Sequence, residues 1–357
     1  MQKYLLLTLA CICTSLDCFS QLSSEFEETL KDAELGDASA QYQLAIIYAK
    51  GEGVVEDVVE GAKWLRKAAE QMHADAQFDL GSMYDNGFGV VEDDTQAVQW
   101  YRKAGRQGHV SAQFNLAQMY ARGDGVAMDD AEAVKWFQKA AEQGLSEAQF
   151  ILGLRHEVGK GVAQDNTVAV KWYRKAAEQG HVSAQFMLGQ IYAADGVTKD
   201  YAEAMKWWRK AADQGYGKAL FTLGFMYETG KGVKVDDAES VKWYRRAAEQ
   251  GNADAQVRLG LMYGSGHVVS DGEAVKWLLE AAGQGRWEAQ NMLGRLYFAG
   301  EVVAEDYALA YMWFNLAAAQ GDKDARECKA ALVGLMTKEQ IAEAQKLSRE
   351  WIDKNAN

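Results

Sequence analysis

Apolar residues recur along this chain in two alternating stripes, both at helical spacing. In the first kind, seen from about Ala112 to Ala121, Leu116, Met119 and Tyr120 share a face at i, i+3 and i+4. In the second, from about Asp130 to Gln143, Ala133, Trp136, Phe137, Ala140 and Ala141 form one stripe. A glycine doublet separates the first stripe from the second, as in Gly51/Gly53, Gly87/Gly89, Gly123/Gly125, Gly159/Gly161 and Gly230/Gly232. A single glycine closes the second, as in Glu142-Gln143-Gly144. Glycine ends helices because it accepts the left-handed backbone. The pattern predicts pairs of short helices joined by glycine turns.

The tryptophans set the period. Trp64, Trp100, Trp136, Trp172, Trp207, Trp243, Trp277 and Trp313 lie 36, 36, 36, 35, 36, 34 and 36 residues apart, and the unit repeats with them eight times from Gly36 to about Gly321. Such a period signals a solenoid, in which each unit buries its apolar face on its neighbours. Six Leu-Gly pairs, Leu152-Gly153 and Leu223-Gly224 among them, place a glycine inside the first helix. Each costs about 1 kcal/mol against alanine, so their recurrence predicts close helix approach. The missing residues fall between helices, at Asp195-Gly196-Val197 and Gly264-Ser265-Gly266-His267.

The ends differ from the middle. Ser24 to Leu35 reads as one amphipathic helix carrying Phe26 and Leu30, and Asp322 to Leu332 as a truncated first helix. Thr337-x-x-Gln340 is a capping-box start for a last helix to about Trp351. Internal units placed at the ends would expose apolar faces. The expected architecture is therefore all-α, an α-solenoid of eight helix pairs over residues 36–321, with caps at 21–35 and 322–357.

Composition adds three constraints. Proline is absent, which suits continuous helices joined by glycine loops. The charge balance is acidic, 38 basic against 51 acidic residues, net −13. That argues against nucleic acid, whose phosphates need Lys and Arg, and favours basic or neutral partners. Residues 1–20 read as a secretory signal peptide: a positive Met1-Gln2-Lys3, an apolar run from Tyr4 to Leu16, and small residues at Cys18 and Ser20 before a cut at Gln21. A lipoprotein cysteine at Cys11 or Cys18 fits less well, the first leaving too short an apolar run and the second following Asp17. No other apolar run is long enough to cross a membrane, so the expectation is a periplasmic or secreted protein with no transmembrane anchor after cleavage. Its mature chain would keep only Cys328, hence no internal disulfide.

Three motifs carry a family resemblance: Ala-x-Ala-Gln-x-x-Leu-Gly-x-x-Tyr, then Gly-x-Gly-Val, then Ala-x-Lys-Trp-x-x-x-Ala-Ala-Glu-Gln-Gly. The chain resembles the Sel1-like repeat family, relatives of the tetratricopeptide repeat. The resemblance implies a right-handed superhelix of helix pairs and an adaptor or scaffold role, with a partner on the concave face lined by the first helices. Some secreted relatives carry a cysteine pair in each repeat and bind or cleave β-lactams. No repeat here has such a pair, so that activity is not carried over.

Comparing the copies separates recurring positions from drifting ones. Two residues before the glutamine of Ala-Gln lie acids such as Asp75, Glu147, Asp254 and Glu288. Just after the tyrosine position lie Asp85, Glu157 and Glu228. Together they would favour a basic or polar peptide, and they equally fit a solvated acidic face. The aromatic row Tyr42, Phe78, Phe114, Phe150, Phe186 and Phe221 reads as inter-repeat core rather than a stacking ladder. A basic row on the second helices, including Lys63, Lys135, Lys206, Lys242, Arg66, Arg102 and Arg209, reads as a solvated face balanced by loop acids such as Asp93, Asp94, Asp129, Asp130, Asp236 and Asp237.

Chemistry-bearing motifs are sparse. His109 and His181 share one slot but are too dispersed for a metal cage. His156-Glu157 lacks the second histidine of a zinc-protease motif, and the common serine-nucleophile motifs are missing. The resulting expectation is an interaction scaffold of the envelope or medium, not an enzyme, without cofactor or metal, and with a protein or peptide partner. The alternative is an envelope hydrolase or β-lactam-binding protein on the same repeats.

Overall fold

The computed structural model describes residues 26–194, 199–264, 271–300 and 302–355. The expected signal peptide and most of the two shortened loops lie outside the described residues. Among these residues every regular element is a helix. The helices form two compact units, one through His181 and one from Val182.

The N-terminal unit opens with α1 over residues 26–34. Four antiparallel pairs follow: α2 (Ala38–Lys50) with α3 (Val58–Glu70), α4 (Ala74–Asn86) with α5 (Asp94–Arg106), α6 (Val110–Arg122) with α7 (Asp130–Glu142), and α8 (Ser146–Val158) with α9 (Asn166–Glu178). The C-terminal unit holds α10 (Val182–Ala193) with α11 (Tyr201–Asp213), α12 (Gly217–Thr229) with α13 (Asp237–Glu249), α14 (Ala253–Gly264) with α15 (Asp271–Gly283), and α16 (Trp287–Ala299) with α17 (Tyr307–Ala319). It ends on α18 (Lys323–Val333) and α19 (Lys338–Asn355), which both pack on α17. The capping box of α19 is reciprocal: the Gln340 N–H donates to Thr337 Oγ1 at 3.2 Å, and the Thr337 N–H to Gln340 Oε1 at 2.9 Å.

Among the described residues, the loop inside seven of the helix pairs is pinned at its end by an aspartate. The Asp93 side chain accepts from the Gln96 N–H at 3.0 Å, capping α5, while its own N–H donates to the Tyr84 carbonyl at 3.0 Å. Asp57, Asp129, Asp165, Asp200, Asp236 and Asp306 do the same on their helices. Capping is a role for the loop acids that the expectation of a balanced basic row did not include. The nearest partners of Lys63, Lys135, Lys206 and Lys242 are Glu60, Glu132, Glu203 and Glu239, one turn back. The Asp-x-x-Glu spacing was the available signal. Arg102 reaches Tyr120 Oη of the next repeat at 2.7 Å, and Arg66 reaches Tyr84 Oη in the same way.

The glycine inside the first helix has its expected role. A Cβ on Gly153 would stand 2.5 Å from the Tyr173 ring, and one on Gly224 2.6 Å from the Tyr244 ring. The second glycine of the loop doublet lets one repeat rest on another. A Cβ on Gly125 would stand 2.3 Å from the Asp94 backbone, at the start of the preceding repeat's second helix.

The recurring glutamine joins the repeats. Gln77 Nε2 donates to the Ala69 carbonyl at 2.8 Å, at the end of the preceding second helix, and Gln77 Oε1 accepts from Gln107 at 2.8 Å, at the end of its own. Gln113 and Gln149 repeat the arrangement in this unit, Gln256 and Gln290 in the other. All are buried. Leu220 occupies the position once. There the Ala212 carbonyl accepts instead from Arg246 at 3.0 Å.

Second helices end on a left-handed glycine at every described repeat but one. Met72 holds that place with φ 68° and a side chain 67% exposed. A left-handed non-glycine residue costs about 1–2 kcal/mol, and glycine returns part of that as unfolded-chain entropy. Met72→Gly is therefore expected to stabilise the chain by about 1 kcal/mol, read as a higher urea midpoint at unchanged slope.

Candidate functional site

The seven acids singled out on the first helices fall into two rows, and each row has an internal partner. Asp85, Glu157 and Glu228 accept hydrogen bonds from the hydroxyls of Tyr101, Tyr173 and Tyr244, with 3.1 Å to Asp85 and 2.6 Å to Glu228. These tyrosines follow the tryptophan on the second helix of the same repeat, and their rings are buried over Gly81, Gly153 and Gly224. Burial, then the neighbouring carboxylate, pushes the Tyr173 and Tyr244 hydroxyls well above the ordinary phenol range.

Identity follows partner in this row. Where the residue after the tryptophan is Leu65, Phe137, Trp208 or Leu278, the first-helix position holds Ala49, Ala121, Ala193 or Gly264. Without a hydroxyl to receive, there is no acid. The last repeat has Phe314 and Phe298 in these two places. Drift among the copies therefore tracks a contact inside the repeat, which comparison of single rows did not separate from ligand-facing variation.

The other row points across to the next repeat. Asp75 lies 3.4 Å from His109 Nε2, and Glu147 3.9 Å from His181 Nε2, both in the N-terminal unit. In the C-terminal unit Asp254 pairs with Arg286, which also reaches Glu288 at 3.5 Å. The Asp75, Glu147 and Asp254 side chains stay more than half exposed, so this row can still meet a partner. Asp79, one turn beyond Asp75, was not singled out from the sequence. It accepts from the Tyr42 hydroxyl at 2.9 Å, and burial raises its carboxyl above the usual range.

The histidines have structural work at the repeat junctions. His73 and His109 take the slot after the helix-ending residue, and their Nδ1 atoms accept from the N–H of Ala76 and Ala112 at 3.3 and 3.2 Å. Their rings stack on Tyr42 and Phe78 at 4.7 and 4.5 Å between centroids, and His181 stacks on Phe150 at 4.6 Å. The aromatic row is half-buried between repeats, as its near-constancy suggested. Among the described residues no group of three or more His, Cys, Asp or Glu is placed to hold a metal ion.

One junction is more polar than the others. Arg155, where other repeats place Met119, Met226 or Leu296, is buried and bonds Asp130 of the preceding second helix at 2.8 Å. That guanidinium holds the Asp130 carboxyl below the usual carboxylate range.

The comparisons agree with this geometry. The Sel1 repeat model matches eight times, over residues 38–73, 74–109, 110–145, 146–181, 182–216, 217–252, 253–285 and 287–322. Among solved structures, a protective antigen of uropathogenic Escherichia coli displaying an SLR fold is 32% identical, with TM-score 0.72, covering 93% of this chain and 79% of that one. A Sel1 repeat protein from Oxalobacter formigenes is 34% identical, with TM-score 0.67, covering 86% and 89%. No curated protein matches.

The tyrosine–acid pair should behave as a coupled unit. Glu157→Gln and Tyr173→Phe are each expected to cost about 1–2 kcal/mol of stability, and the double variant about 1 kcal/mol less than their sum. Additive losses in urea denaturation would show the hydroxyl–carboxylate bond to be idle. A pH effect is expected at His181, where burial lowers the pKa below its ordinary value of 6.5. The neutral ring is the folded form, so its contribution is full above about pH 6.5 and falls as pH drops towards the depressed value. His181→Asn, which puts the residue of Asn252 in this slot, should flatten the melting temperature between about pH 7 and 5.

Proposed function

This chain belongs to the Sel1 repeat family, and from that premise we propose that it is an exported scaffold holding a protein or peptide partner along its first helices. Sel1 repeats are protein-interaction modules, and the repeat fold is typically non-enzymatic. Among the described residues no helix is long and apolar enough to cross a membrane. Export rests on the leader pattern of residues 1–20. Residues 21–35 and 322–357 serve as caps on the eight repeats of 36–321. Phe26 and Leu30 pack on the first pair's core, and Trp351 stands edge-on to Trp313 at 4.6 Å.

One observation carries the reading. Acids that differ from copy to copy stand exposed on first helices whose buried positions recur almost unchanged. Asp75 and Glu147, each 59% exposed, are the foremost. Asp254 and the partly buried Glu288 hold the same repeat position in the C-terminal unit. Asp85, Glu157 and Glu228 contribute negative potential while holding their tyrosines. A basic or polar peptide is the complementary ligand.

The test is affinity capture from cell envelope and culture medium with residues 21–357 as bait. The control bait carries Asp75→Lys and Glu147→Lys, which leave the tyrosine–acid pairs intact. The expected result is a partner retained by the first bait and lost, or weakened about tenfold or more, on the second. Equal retention on both baits would remove the first-helix acids from the proposal.

A further inference from the structure

The loops between paired helices carry apolar side chains that the fold does not use. The valine after the glycine doublet recurs as Val54, Val90, Val126 and Val162, and it turns inward, half-buried. The next residue turns outward. It is Val55 and Val91 in the first two repeats, each 87% exposed, and Ala127 and Ala163 in the next two. Alanine therefore suffices for the turn. Val59, Phe88 and Met128 add exposures of 57%, 56% and 66% on the same loops and helix starts. The C-terminal unit holds Lys234 at the outward position.

These loops form one edge of the N-terminal unit. A Cβ on Gly89 would stand 2.6 Å from the Val58 side chain and 2.9 Å from its carbonyl, so the Phe88-Gly89 turn rests on the start of α3, beside Val59. Gly125 rests on Asp94 at the start of α5 in the same way. Consecutive loops are thus each seated on the start of the preceding repeat's second helix, which sets their exposed apolar residues along one strip of that edge.

The strip carries acids beside its valines, and Arg66, which shares a hollow with Val91 and Glu92, is turned to Tyr84 Oη. Each exposed valine is followed by an exposed glutamate, Val55-Glu56 and Val91-Glu92, and neither glutamate has an ion-pair partner among the described residues. Nearby lysines of the second helices are already engaged, Lys63 with Glu60 at 2.7 Å and Lys135 with Glu132 at 2.8 Å. An apolar strip edged by unpaired acids complements a segment with apolar residues on one side and cations beside them.

We propose that the loop edge of the N-terminal unit, centred on Val55, Phe88 and Val91, is a second docking surface, and that it takes a basic amphipathic segment of a partner protein. It is separate from the first-helix acids and does not depend on them. Being exposed, its residues can be changed without disturbing the core.

The test pans a display library of random peptides against the full mature chain. Three forms are compared: the natural chain, Val55→Ser with Phe88→Ser and Val91→Ser, and Asp75→Lys with Glu147→Lys. Unchanged melting temperatures establish that each variant is folded. The proposal expects enriched peptides that combine Lys or Arg with Leu, Ile or Phe. Their affinity should fall about tenfold or more on the loop variant, fall further at about half-molar salt, and hold on the first-helix variant. Three results overturn it: no enrichment, enriched peptides without basic residues, or binding that survives the loop variant. Self-association of the natural chain that the loop variant abolishes would also overturn it, since a second copy would then fill the strip.

Discussion

A primary amide can donate and accept at the same time, and the joining of these repeats turns on that property. Within each unit the buried glutamine of Ala-Gln, as at Gln77, Gln113, Gln149, Gln256 and Gln290, ties the end of the preceding second helix to the end of its own. Gln77 does so between Ala69 and Gln107. A carboxylate could not donate there, and an aliphatic side chain would leave a buried carbonyl and amide without partners, at about 1–3 kcal/mol each. The exception shows the constraint at work. With Leu220 in the slot, Arg246 supplies the missing donor to Ala212, on a helix face where other repeats keep Lys67, Lys103 or Lys139 over the tryptophan ring.

Around this fixed joint the repeats vary in matched sets. Gly153, Glu157 and Tyr173 form one: the glycine admits the ring, and the acid receives its hydroxyl. Gly81, Asp85 and Tyr101 form another, and Gly224, Glu228 and Tyr244 a third. Ala121 facing Phe137 is the version without a hydroxyl. The exposed acids follow a second rule, in which Asp75 and Glu147 meet histidines and Asp254 meets Arg286 across the junction. Variability in a repeat protein thus has two sources, the internal partner and the external one. The internal one must be subtracted before a ligand face is read from the drift.

That subtraction changes the weight given to each candidate. Asp85, Glu157 and Glu228 are partly engaged in packing, whereas Asp75 and Glu147 lie 3.4 and 3.9 Å from imidazoles and remain open to solvent. Charge reversal at the first three would disturb the repeat itself. The loop valines are the opposite case. They repeat twice, resemble core residues by type, and contribute nothing to the core.

The sequence by itself determined the repeat, its period, the two helices of each unit, the glycine that ends them, the close helix approach at the inner glycine and the capping box of the last helix. All of these rest on patterns within one helix or across one turn, and eight copies amplify them. The tertiary structure alone decided what the polar residues do. Asp93 caps a helix, Lys63 pairs with Glu60, Arg102 clamps Tyr120, and His109 is at once a cap, a stacking plate and a partner to Asp75. Those pairs join residues brought together only when helices pack and repeats stack, and the same side chain could serve solvent, a neighbour or a ligand with equal chemistry. Periodicity carries the burial pattern because burial repeats with the helix. It does not carry the choice of partner, because that choice is made across the gap between helices.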